Sequence, residues 1–92
     1  MKLTPELLKR FRLYSPPARL STAAMAALVG LKFGRNWGYF ESPESAATHR
    51  RLNPCMRRAV ILIWWYVKTT GALPDFDKLE DEMVNELDQP PK

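Results

Sequence analysis

"RRAVILIWWYVKTTG", residues 57–71, is the most hydrophobic stretch of this 92-residue chain, and its reading decides the fold. Ala59 to Val67 are all apolar and lie between an arginine pair and Lys68. Asn53 and Pro54 supply a cap and a first-turn residue before the stretch, and Gly71 and Pro74 supply a stop after it. The spacing therefore predicts a helix over 54–70. A free-standing membrane span needs about 18 or more apolar residues, roughly twice what this segment offers. At about 1.5 Å per residue the whole helix is roughly 25 Å long. It would cross only a thinned bilayer, with Arg57, Arg58 and Lys68 reaching outward.

On a helical wheel the stretch divides in two. Arg57, Ile61, Trp64 and Lys68 form one stripe, with Arg58 and Trp65 beside it. Met56, Ala59, Val60, Leu62, Ile63, Tyr66 and Val67 cover the other side. An aliphatic face opposite an Arg–Trp–Lys face predicts a helix that packs on one side and meets lipid headgroups or a protein partner on the other. Arg57, Ile61, Trp64, Trp65 and Lys68 are the candidate partner-docking residues here, with lipid contact expected along 54–70.

Working outward, three further helices are expected. "TPELLKRFRLY" has Thr4 as cap, Pro5 in the first turn and an apolar face of Leu3, Leu7, Leu8, Phe11 and Tyr14. Lys9, Arg10 and Arg12 read as its polar remainder, and "SPP" at 15–17 as its end. "STAAMAALVGLKF" reads as a helix over 21–33 with a small-residue stripe of Ala23, Ala26, Ala27 and Gly30. Such a stripe suits close helix–helix approach, which makes Ala23, Ala27 and Gly30 docking candidates. "DFDKLEDEMVNELD" reads as an acidic helix over 75–88 whose narrow apolar stripe contains Phe76, Leu79, Met83, Val84 and Leu87. Phe76, Leu79 and Met83 complete the docking set.

Between the second and third helices, residues 34–54 read as a long irregular connector, with a short helix capped by Ser42 as its one regular feature. Loops of this length are uncommon in compact domains unless they bind something. The expected architecture is thus all-α, with three to four helices at about 4–14, 21–33, 54–70 and 75–88. The helix at 54–70 is the one candidate for embedding in a membrane. The chain forms one small unit: a basic amphipathic segment (1–19), an apolar helical body (20–74) and an acidic helix with its tail (75–92).

Charge is strongly polarised. Residues 1–58 carry 11 basic and 3 acidic side chains, a net +8, whereas residues 75–92 carry 2 basic and 7 acidic, a net −5. A single crossing at 54–70 would put the N-terminus on the matrix or cytoplasmic side. The first 20 residues hold five basic side chains and one acid on an amphipathic helix, which resembles a mitochondrial transit segment.

The chain offers little for chemistry. One cysteine, Cys55, excludes an internal disulfide, and one histidine, His49, leaves too few ligands for a zinc site. "GLKFGRNWG" has glycines without a phosphate-loop spacing, and "DFDKLEDE" lacks the calcium-loop pattern. A Cys55–His49 nucleophile pair has no orienting third group in the sequence. No catalytic, cofactor-binding or metal-ligating residue is therefore assigned, and no cofactor or small-molecule substrate is expected.

The expectation is a non-catalytic accessory subunit of a multi-subunit membrane complex, such as a respiratory-chain or ATP-synthase assembly of the mitochondrial inner membrane. Its partners would be other protein subunits. Two alternatives are a soluble helical module for protein–protein interaction and a small basic ribonucleoprotein component. The second rests on "KFGRNWGYF" and "THRRLNPCMRR", which interleave cations with aromatics suited to phosphates and bases.

Overall fold

A computed structural model describes residues 2–15, 17 and 19–90. All regular structure among them is helical: α1 (Pro5–Tyr14), α2 (Thr22–Leu28), α3 (Gly34–Glu41), α4 (Pro54–Thr70) and α5 (Phe76–Leu87). Four of the five start as side-chain chemistry dictates. Thr4, Ser21, Asn53 and Asp75 each turn a side-chain oxygen onto a first-turn amide, at 3.2, 3.0, 2.7 and 3.1 Å. Pro5 and Pro54 follow two of these caps, where a missing amide hydrogen costs nothing.

The ends are set as locally. Gly71 closes α4 at φ 73°, and its amide donates to the Val67 carbonyl at 2.8 Å. α2 stops five residues short of the expected 21–33 because Gly30 adopts φ 83°. The Leu31 amide then reaches back to the Ala26 carbonyl at 2.7 Å and the Gly30 amide to Ala27 at 3.2 Å, a Schellman arrangement. Gly30 is thus a helix stop and not part of a packing stripe. α1 ends at Tyr14 as expected, although the "SPP" stop falls partly on Pro16, outside the described residues.

The connector is not irregular throughout. Its first eight residues form α3, whose Trp37 is fully buried and meets Phe40 edge-on with ring centroids 5.7 Å apart. The short helix expected from Ser42 is absent. Two turns replace it, closed by Ala46 N–H to Pro43 and His49 N–H to Ala46 at 2.9 and 3.1 Å.

The core joins Leu8 and Phe11 of α1, Met25 and Ala26 of α2, Trp37 of α3, and Val60, Ile63 and Val67 of α4. Val60, Ile63 and Val67 lie on the aliphatic face predicted for 54–70, but Leu62 of that face stays 64% exposed. α3 reaches α2 closely because Gly34 has no side chain: a Cβ there would lie 2.8 Å from the Ala23 nitrogen.

A charged pair is enclosed. Arg12 donates from Nε and Nη2 to the two carboxylate oxygens of Glu41 at 2.7 and 2.9 Å, and from Nη1 to the Leu20 carbonyl at 2.8 Å. The Trp37 indole N–H also donates to Glu41. This fork ties α1, the strand of chain before α2, and α3 into one network with no buried side-chain polar atom unpaired among the described residues.

No helix among the described residues is long and apolar enough to cross a membrane. A crossing at 54–70 is therefore not part of this fold. α5 buries no residue and lies along the outside, so the molecule is elongated, 54 × 27 × 25 Å.

Candidate docking surface

The outward face of α4 follows the predicted stripe. Lys68 sits over the Trp64 ring with Nζ 5.0 Å from its centroid, an i, i+4 cation–π pair that holds both side chains to the helix surface. Ile61 and Trp64 do not stand alone. They line a groove of about 560 Å³ whose other wall is α1, through Leu7 and Tyr14, with Leu3 just before it. The groove is mostly apolar, although Arg10 and Ser15 also line it, because Leu3 and the four apolar residues of α1 spread over a wider arc than the core covers. Leu8 and Phe11 turn inward, and Leu3, Leu7 and Tyr14 are left outside. Trp65, 57% exposed, and Leu62 extend this surface around α4.

A second hollow, about 580 Å³, opens between α2 and the start of α5, where Ala27 faces Phe76 with Leu28 and Leu73 beneath. Leu79 is half-buried, and Met83 lies exposed farther along α5.

The predicted docking residues therefore fall into separate places. Ile61, Trp64, Trp65 and Lys68 share one face; Ala27 and Phe76 share another; Leu79 and Met83 continue along α5. Ala23 meets Gly34 of the same chain, Gly30 caps α2, and Arg57 faces a basic cleft at the far end of α4. The α1 side of the groove was legible as a helix face but not as part of a docking surface. Only the fold shows that α1 and α4 leave a channel between them.

Electrostatics reinforce the division. Away from the groove, against α3, the Arg12 guanidinium is held charged: the hydrogen bonds and charge of Glu41 raise its pKa against the opposing pull of burial. Cys55 is an exposed thiol in the first turn of α4. His49 points Nδ1 at the Ser42 carbonyl, 2.9 Å away. No group of three or more His, Cys, Asp or Glu side chains suited to a metal exists among the described residues.

Comparison with protein-family models, with curated proteins and with solved structures finds no match to this chain.

Proposed function

We propose that this chain is a non-catalytic accessory subunit, a small helical unit whose α1/α4 groove and outer α4 face are covered by another protein subunit. The observation that carries this reading is uncovered surface. A folded 10.6 kDa monomer exposes about 5,500 Å² by general scaling, whereas this chain exposes 7275 Å². The excess, roughly 1,800 Å², exceeds the about 800 Å² that one partner contributes to a standard interface. Exposed apolar side chains contribute to it, Leu7, Ile61, Leu62, Trp64 and Trp65 on or beside the groove and Phe76, Met83, Val84 and Leu87 on α5.

The assembly we infer is membrane-bound, with the mitochondrial inner membrane as its site. The basic, acid-poor N-terminal helix and the placement of Trp64 beside Lys68, suited to a headgroup layer, support this reading. With no helix among the described residues long enough to cross, α4 would lie at the interface against subunits that do.

Native electrophoresis after mild detergent extraction tests the proposal. The protein should migrate in a complex far larger than its own mass, and Ile61→Asp with Trp64→Asp should release it while circular dichroism stays helical. Migration of the extracted protein at its own monomeric mass alone would overturn it.

A further inference from the structure

The geometry points to a binding site for a phosphate group in the cleft between the start of α1, the 43–53 segment and the first turn of α4. This site adjoins the docking groove, with which it shares Leu3 and Leu8, but is lined by a different set of charged residues. Lys2, His49, Arg50, Arg51 and Arg57 line the cleft, with Glu44 as its one acid. With His49 neutral, these side chains place a formal +3 around one hollow. The only ion pair among the described residues is Arg12–Glu41, so none of the cleft's cations is neutralised by a carboxylate. Held together without an anion, they repel one another, and a bound anion would relieve that repulsion.

Arg50, His49 and Arg57 are carried on backbone that is tied in place. The Arg50 amide donates to the Tyr39 carbonyl at 3.0 Å, and its guanidinium lies 6.0 Å from the Tyr39 ring centroid. His49 is fixed at its amide by Ala46 and at Nδ1, which donates to the Ser42 carbonyl. Arg57 sits in the first turn of α4, where the helix dipole adds positive potential. This accounts for an irregular segment that the protein-docking role leaves without purpose.

Size and shape select the ligand class. The cleft holds about 400 Å³, within the roughly 300–1,000 Å³ range of small-ligand sites and too small to seat an acidic helix about 10 Å across. Guanidinium forks match the oxygens of a phosphate, which accept several such bonds from one centre. Leu8, Phe40 and Leu52 supply an apolar floor, so the phosphate would be carried on a small molecule or a lipid headgroup with an apolar portion.

Titration of the purified full chain with inorganic pyrophosphate, and sedimentation with phosphatidylcholine vesicles containing phosphatidic acid, tests the site. Pyrophosphate should bind and raise the melting temperature. Vesicle binding that pyrophosphate displaces identifies a headgroup; pyrophosphate binding without vesicle binding identifies a soluble ligand. Arg50→Ala with Arg51→Ala should weaken binding by about tenfold or more, as loss of charged hydrogen bonds implies. Arg19→Ala with Lys78→Ala, the same loss of charge outside the cleft, should leave it within about twofold on the same scale. If the Arg50/Arg51 variant fails to fold, Arg57→Gln on exposed α4 gives the same reading. Absence of binding to either probe, or equal weakening by both double variants, overturns the site. So does cleft-dependent binding of single-stranded RNA without binding of either probe.

Discussion

Arg12 is the residue on which three parts of the chain depend. Its guanidinium and the Glu41 carboxylate are both about nine-tenths buried, so neutralising one leaves the other charged, enclosed and unpaired. Glu41→Gln should lower unfolding free energy by about 2–4 kcal/mol, measured by urea denaturation. The pH dependence has a definite sign. Arg12 has a raised folded pKa, so its contribution is complete below the unfolded value and lost only as pH rises through the folded one. That window lies at strongly alkaline pH, so Glu41→Gln should cost the same at pH 7 and pH 9. Two glycines separate space from propensity. Gly38→Ala meets nothing within 4 Å in a helix and should stabilise by about 0.5–1 kcal/mol; Gly34→Ala meets the Ala23 backbone at 2.8 Å and should destabilise by about 1–3 kcal/mol. Thermal melts of the two variants should shift in opposite directions. None of this could be read from the sequence. Arg12 looks like Lys9 and Arg10 on a wheel, and only the arrival of Glu41 from 29 residues away makes it a core residue.

At the scale of elements, helices with side-chain caps were legible and those without were not. Asn53, Pro54 and Gly71 bracket α4 in the sequence as in the fold, and Asp75 announces α5. α3 has no side-chain cap and contains Gly34 and Gly38, both poor helix formers, so propensity argued against it. Burial of Trp37 and the Glu41 network override that preference. α2 failed in the opposite way, because Gly30 looked like packing when it was a stop. α5 is a separate case, since none of its residues is buried. Truncation after Pro74 should leave the melting temperature of the remaining helices within about 2 °C, a shift worth under 1 kcal/mol, as followed by circular dichroism. A larger loss would mean that α5 covers more of the body than its exposure shows.

For the whole molecule, polarity of charge and elongation go together. The basic cleft gathers around the first turn of α4, and the acidic α5 follows its other end, so positive and negative poles are separated along the molecule. The sequence showed this asymmetry as a count. It could not show that Lys2 and Arg57, more than fifty residues apart, face one hollow. The docking set was spread by the fold over several faces for the same reason: wheel positions describe one helix, and surfaces are made by two or three.

The place of α1 in the core has a consequence in time. Leu8, Phe11 and Arg12 need partners from α3 and α4, the last of which is Val67. At roughly 5–20 residues per second, synthesis of the intervening stretch takes about 3–11 s. Throughout that interval residues 4–14 lack those partners, and a helix of this length has little stability alone. Folding then covers Leu8, Phe11 and Arg12, while Leu7 and Tyr14 stay outside.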